Sequence, residues 1–390
     1  MAIQIKKAAR IRQLPPYLFA EIDRLKKEAV ARGVDIINLG VGDPDMPTPA
    51  HIVQELSRAA AEPANHRYPD YEGLESFRRA VSGWVSRRFG VRVDPDTETI
   101  SLIGSKEGIA NMAVAFIDPG DVVLVPDPGY PVYHVGTCFN GGVPYPMALR
   151  RENGFLPDLE AIPPDVVRRA KLLWLNYPNN PTASAASLEF FSDAVRFAER
   201  HNIIMCHDAA YIDIYYDGLR PPSILEVDGA REVAIEFHSL SKTYNMTGWR
   251  VGFAVGNAEL IGGLGQVKTN VDSGVFKAVQ KAAIAALDGD QGVVERLRAT
   301  YAERREVLVN GLREIGFDCP LPAGTFYVWT AVPPGHTASS TTKRILEETG
   351  IVTTPGTGFG AAGEGYIRLT LTSDTARLAE AVERLRLLRF

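Results

Sequence analysis

The chain has 390 residues, 45% of them hydrophobic, with 42 basic and 47 acidic side chains and a formal net charge of −5. That length suits one large α/β body with a smaller partner domain, and the acidic balance supplies no basic field for nucleic acid. The three cysteines, Cys138, Cys206 and Cys319, form no CxxC pair, which argues against a disulfide framework or a zinc site and fits a reducing cytoplasm. The first residues lack the apolar run of a signal peptide, and no segment approaches ~18 uninterrupted apolar residues, so a soluble protein is expected.

In chain order, residues 1–16 read as an arm, and residues 17–32 as an amphipathic helix stopped by Gly33. A short buried strand follows at 34–40, then the turn GVGDPD, and Thr48 before Pro49 marks a helix start. From about residue 70 helices alternate with short β-rich runs. Helices are predicted at 73–90, 106–116, 131–139 and 187–201, and strands at 99–104, 121–126, 171–176, 203–208 and 233–239. Such alternation implies a mostly parallel sheet covered on both faces, with ligands collecting beyond the carboxyl ends of the strands. Beyond residue 280 the texture changes to a long helix at 292–316, strand 325–332, helix 341–350, strand 365–372 and a last helix at 375–388.

The segment SLSKTYNMTGWR, residues 239–250, carries the densest chemistry. Lys242 can bond a carbonyl as a Schiff base if its amine is desolvated or held near a cation. Ser239, Ser241 and Arg250 supply hydrogen bonds and positive charge for a phosphate. A phosphate-bearing aldehyde is therefore the expected ligand, which describes pyridoxal 5'-phosphate (PLP). With NLGVGDPDMPTP, LIGSKEGIANMA, VPDPGYPVYH, LNYPNNPT, CHDAAY and TPGTGFGAAGEGYIRLTLT, the chain resembles the fold-type I PLP-dependent aminotransferases. PYLFAEID, NHRYP and GSKEGIAN bring it most closely to the LL-diaminopimelate aminotransferase family. The resemblance covers nearly the whole chain. It implies a large PLP-binding domain over 51–282, a small α+β domain from 17–50 with 283–390, and a homodimer with shared active sites.

Further site residues follow from position and from that resemblance. Gly104, Ser105 and Lys106 lie between a strand and a helix, where backbone amides face an anion; in the family the serine and lysine contact the cofactor phosphate, and the lysine also borders the substrate. Asp208 follows a strand and would pair with the pyridine nitrogen, making the ring an electron sink, while Tyr211 and Asn180 would hydrogen-bond the ring hydroxyl. Tyr130 offers an aromatic face for the ring. The resemblance assigns Tyr71 to the partner subunit's phosphate, Arg368 to the substrate α-carboxylate, and Tyr17 to the mouth of the site. Alternation alone would allow Arg368 to face solvent. Gly42 would let the backbone approach the same carboxylate, and Tyr130, Asn180 and Lys106 complete the substrate set.

His207 beside Asp208 has no second ligand at metal spacing, so no metal is expected. Gly358, Gly360 and Gly363 fit GxGxxG, but a strand follows where that fingerprint needs a helix, so they read as a mobile loop. Ala183 stands where many relatives have glycine after NNPT; a positive backbone angle there would cost an alanine roughly 1 kcal/mol. The implied reaction moves an amino group between LL-2,6-diaminopimelate or tetrahydrodipicolinate and glutamate or 2-oxoglutarate, in lysine biosynthesis. The alternatives are an aspartate, alanine or aromatic aminotransferase, or a PLP-dependent lyase. A regulator with an aminotransferase-like sensor would need a DNA-binding module, for which sixteen residues before the first helix leave no room.

Overall fold

The computed structural model describes residues 3–12, 14 and 18–388. Among these described residues twelve strands follow one another: β1 (Ile37–Asn38), β2 (Thr99–Leu102), β3 (Val122–Asp127), β4 (Val143–Ala148), β5 (Ala170–Asn176), β6 (Ile204–Asp208), β7 (Ala234–Ser239), β8 (Gly252–Gly256), β9 (Tyr327–Ala331), β10 (Ile351–Val352), β11 (Thr354–Pro355) and β12 (Tyr366–Thr370). Seven of them form one sheet in the order β2-β8-β7-β6-β5-β3-β4. Only β8 runs against the others: its pairings with β2 and β7 are antiparallel, and the remaining four pairings are parallel.

The central strands read as near-continuous apolar runs because helices cover both faces. On one face Leu173, Leu175, Met205 and Phe253 join the helices over Glu75–Phe89, Leu188–His201 and Lys277–Asp288; on the other, Leu172, Trp174, Cys206 and Phe237 meet Ser105–Phe116 and Ala258–Val271. The helices at 258–271 and 277–288 were not anticipated from the sequence. Nor was β4, whose Pro144 and Pro146 argue against a strand. It lies at the sheet edge, where a missing N–H costs no ladder bond on the open side.

Sheet β11-β12-β9 is antiparallel, and β1 pairs in parallel with β10. Ile37 and Leu39 share one apolar cluster with Leu308, Leu312, Ile345, Ile367, Leu369 and Leu378, so the segment around residue 37 is buried against the C-terminal third of the chain. The helix expected at 17–32 spans Leu18–Ala31, and Gly33 follows with φ +80°. Thr48 does not cap the next helix: that helix begins at Ala50 without a side-chain cap, and the Thr48 hydroxyl donates to the Asn245 carbonyl. Of the GFGAAG glycines, Gly358 and Gly363 lie in two 3-10 turns, Gly356–Phe359 and Ala361–Gly363, with Gly360 between them, and the Ala362 amide donates to Asp127. Among the described residues no helix is long and apolar enough to cross a membrane.

Candidate active site

Sheet topology decides which motifs meet. Because β8 lies between β2 and β7, its first residue, Gly252, pairs with Leu102 on one side and with Ser239 on the other. The ends of two strands and the start of a third thus converge, bringing Gly104–Lys106, Ser239–Lys242 and Arg250 together although they stand up to ~145 positions apart. One strand further on, Asn176 pairs with Asp208 at the ends of β5 and β6. A cleft of about 410 Å³ opens over these ends, lined by Gly42, Ser105, Lys106, Tyr130, Asn180, Asp208, Tyr211, Ser239, Ser241, Lys242, Arg250 and Arg368 from the sequence-derived set.

At one end of the cleft sits an anion cradle. Gly104 has φ +73° and precedes a helix beginning at Ser105, whose first amides are free of intrahelical partners. A Cβ on Gly104 would come 2.2 Å from Nη2 of Arg250, so glycine is required for the guanidinium to reach the helix start. Arg250 is itself held by the carbonyls of Thr247, at 2.9 Å, and Ile103, at 3.4 Å. The Lys106 ammonium lies 5.6 Å from the centre of the Tyr130 ring.

In the middle of the cleft stand Lys242 and Asp208. Burial lowers the Lys242 pKa to about 8 against the opposing pull of Asp43, helped by the positive charges of Arg250 and Arg368. Its Nζ reaches the Gly42 carbonyl at 3.4 Å. Asp208 accepts from the Tyr133 hydroxyl at 2.7 Å and from the Ala210 amide at 3.2 Å; burial nevertheless raises its pKa. Behind it, both ring nitrogens of His207 have hydrogen-bond partners: Nδ1 bonds Glu236 at 2.8 Å and Nε2 the Tyr177 carbonyl at 3.0 Å. Among the described residues no group of three or more His, Cys, Asp or Glu is placed to hold a metal ion.

The far wall carries Arg368, which is 2% exposed and so does not face solvent as alternation alone would allow. Nη1 donates to Asn180 Oδ1 at 2.9 Å and Nη2 to the Gly40 carbonyl at 2.7 Å. Its guanidinium is sandwiched between Tyr327, 4.1 Å from the ring centre, and Phe359, at 4.6 Å. Nε is buried with no hydrogen-bond partner among the described residues. An unpaired buried donor on a cation beside an open cleft suits an incoming carboxylate.

Of the sequence-derived residues, one lies away from this cleft and one outside the described residues. Tyr71 is 44% exposed and does not line the cleft of its own chain, and Tyr17 lies outside the described residues. Sequence reasoning missed Tyr133, Asn176, Tyr327 and Phe359. Tyr133 carried a signal, standing three residues after Tyr130 on the same turn; Asn176 and Tyr327 sit in strands where nothing in the pattern sets them apart.

A family model for aminotransferase class I and II matches residues 34–385. The chain belongs to the class I and II aminotransferases. It is 58% identical over 384 residues to the LL-diaminopimelate aminotransferase of Syntrophobacter fumaroxidans, covering 98% of this chain and 99% of that one. Among solved structures, substrate-bound BacF from Bacillus subtilis superposes with a TM-score of 0.94 at 38% identity, covering 99% and 98% of the two chains. An aspartate aminotransferase mutant of Thermus thermophilus gives 0.92 at 30% identity, covering 98% and 100%. This is the fold-type I architecture, shared by enzymes named for different substrates, so the fold by itself does not select one.

Proposed function

We propose that this chain is an LL-diaminopimelate aminotransferase of lysine biosynthesis, exchanging the amino group between LL-2,6-diaminopimelate or tetrahydrodipicolinate and glutamate or 2-oxoglutarate. The observation that carries this reading is the 58% identity, end to end, to a protein of that name, joined to a cleft that gathers Lys242, Asp208 and Arg368. Amino acids and 2-oxo acids are the substrate classes of any aminotransferase; the diaminopimelate pair is the finer step.

The cleft suits PLP. Arg250, Ser239, Ser241, Ser105, Lys106 and the amides after Gly104 would hold its phosphate, Tyr130 would face the ring, and Tyr211 and Asn180 would hydrogen-bond the ring hydroxyl. When bound, PLP supplies an electron sink for the charge left when the substrate Cα–H bond breaks. Lys242 would hold the cofactor through its amine, and with substrate bound that amine would take the proton at Cα as general base and hand it, as general acid, to the cofactor's C4′ carbon. Its lowered pKa suits both tasks at neutral pH. Asp208 would pair with the pyridine nitrogen and keep it protonated. Arg368 receives the α-carboxylate with its free Nε edge, while the Gly40–Gly42 backbone closes one side, bonding Arg368 through Gly40 and Lys242 through Gly42.

We further infer a cytoplasmic homodimer whose sites are shared, with Tyr71 reaching the partner subunit's phosphate and Tyr17 at the mouth. Residues 17–50 with 283–390 form the small domain, and 51–282 the large one. A spectral titration tests the assignment. The purified holoenzyme should lose the absorbance of its lysine–cofactor bond with LL-diaminopimelate and not with aspartate, alanine or tyrosine; an equal response to aspartate would sink the diaminopimelate reading.

A further inference from the structure

Tyr327, on β9, is 3% exposed and touches three otherwise separate parts of the cleft. Its hydroxyl lies 2.9 Å from that of Tyr211. Its ring carries the Arg368 guanidinium. Its hydroxyl also abuts Gly42 so closely that a Cβ there would stand 2.3 Å from the phenolic oxygen.

We propose that Tyr327 is a positioning residue that couples the carboxylate clamp at Arg368 to the donor strength of Tyr211, and that Gly42 exists to admit its hydroxyl. The proposal rests on the assignment of Tyr211 to the cofactor's ring hydroxyl. Each phenol has one proton and can accept as well as donate. When Tyr211 sends its proton into the cleft, its remaining lone pairs face Tyr327, which donates back. The two hydroxyls then form a chain in one direction, Tyr327 to Tyr211 to the ring oxygen, and the first bond polarises and strengthens the second. Burial holds the Tyr211 pKa well above that of a free phenol, so Tyr211 stays a donor at working pH. The same Tyr327 ring packs on the Arg368 guanidinium together with Phe359, and Nε is the guanidinium nitrogen left without a partner among the described residues. A carboxylate that pulls Arg368 would therefore press on the ring whose hydroxyl tunes Tyr211.

The ionisable groups acting on this pair are Arg368 and the phenols Tyr130, Tyr133 and Tyr301, while Asp43, Arg250, Arg368 and Asp208 act on Lys242. Tyr327→Phe alters none of them and keeps the ring over Arg368; Tyr327→Leu removes both ring and hydroxyl. The holoenzymes of wild type and both variants are compared by the pH midpoint of the lysine–cofactor absorbance and by KM and kcat for 2-oxoglutarate. With a weaker donor from Tyr211 the ring oxygen becomes more basic and the lysine–cofactor nitrogen keeps its proton to higher pH. Tyr327→Phe should thus raise the midpoint by about half a pH unit with KM nearly unchanged. Tyr327→Leu should raise the midpoint similarly and KM by roughly tenfold. Gly42→Ala is the second probe if Tyr327→Phe folds poorly: the methyl displaces the hydroxyl with the tyrosine in place, and the midpoint should again rise. A Tyr327→Phe or Gly42→Ala titration that overlays that of wild type overturns the proposal. Wild type that binds no PLP, or whose absorbance ignores every amino acid, overturns instead the functional reading beneath it.

Discussion

The most exposing perturbation is to remove the charge of Lys242 in protein stripped of cofactor. An unfolded lysine holds its proton to about pH 10.4, whereas Lys242 in the fold releases it near 8. Between those values the unfolded chain binds more protons, so stability rises with pH; below 8 the fold bears the full penalty of an ammonium held out of water. A displacement of about 2.5 units at 1.36 kcal/mol each gives about 3 kcal/mol, an upper bound because the side chain borders a cleft that water can fill. Lys242→Met keeps the length of the side chain without the charge. Urea unfolding of the apo proteins at pH 7 should place Lys242→Met up to about 3 kcal/mol above wild type, with the gap closing towards pH 10.5. A variant no more stable at pH 7, or a gap that ignores pH, would refute the desolvation argument. The same displacement serves chemistry: at pH 7.5 about a quarter of such an amine is neutral, against about a thousandth for an unperturbed lysine.

Arg368→Lys should raise KM for both the amino acid and the 2-oxo acid about 100-fold, since an ammonium can neither fork to a carboxylate nor stack between Tyr327 and Phe359; steady-state kinetics with an unchanged KM would refute the clamp. Ala183 has φ +58°, so the conditional cost foreseen for an alanine after NNPT applies, and Ala183→Gly should stabilise the fold by about 0.5 kcal/mol after the entropy of glycine is deducted. A lowered urea midpoint would show that the buried methyl outweighs the strain. Glu236 is fully buried and accepts from His207, His238, the Ser223 hydroxyl and the Ile224 amide. Burial would raise its pKa, but the imidazole bonds outweigh burial and hold it well below the carboxylate range. Its folded pKa is depressed, so its stabilisation is complete above about pH 4.5 and lost on acidification. Glu236→Gln should cost about 3 kcal/mol at pH 7, narrowing below pH 4.5 in urea titrations; a cost that is the same at pH 3 would refute the charge-based account.

How much of this was legible in the sequence depends on whether local pattern or long-range pairing decides. The helices over Glu75–Phe89 and Leu188–His201 could be read because an apolar stripe at period 3.6 ends at a left-handed residue, Gly90 or Asn202. The edge strand β4 could not, because its prolines break the strand pattern and only the sheet reveals that their open side needs no N–H. Likewise the helix at 258–271 contains three glycines, which lower local propensity, yet its buried Leu260, Ile261 and Leu264 pack on the sheet and override it. In the cleft, residues tied to a motif were accessible one at a time: Lys242 by its flanking serines, Gly104 by its place between strand and helix. What no local reading contains is the reversal of β8, which sets Gly252 between Leu102 and Ser239 and so brings three separate fragments of the chain to one end of the cleft. Tyr327 is the sharper case. Along β9 it is one more aromatic in TFYVWTAV, indistinguishable from Phe326 or Trp329, and its meaning comes from partners that stand 116 positions before it at Tyr211 and across the sheet at Arg368. Gly42 carries the same lesson in reverse. The sequence reading gives Gly42 one reason to lack a side chain, backbone approach to the substrate carboxylate; the structure adds a second, the Tyr327 phenol pressed against its Cα, which a side chain there would dislodge.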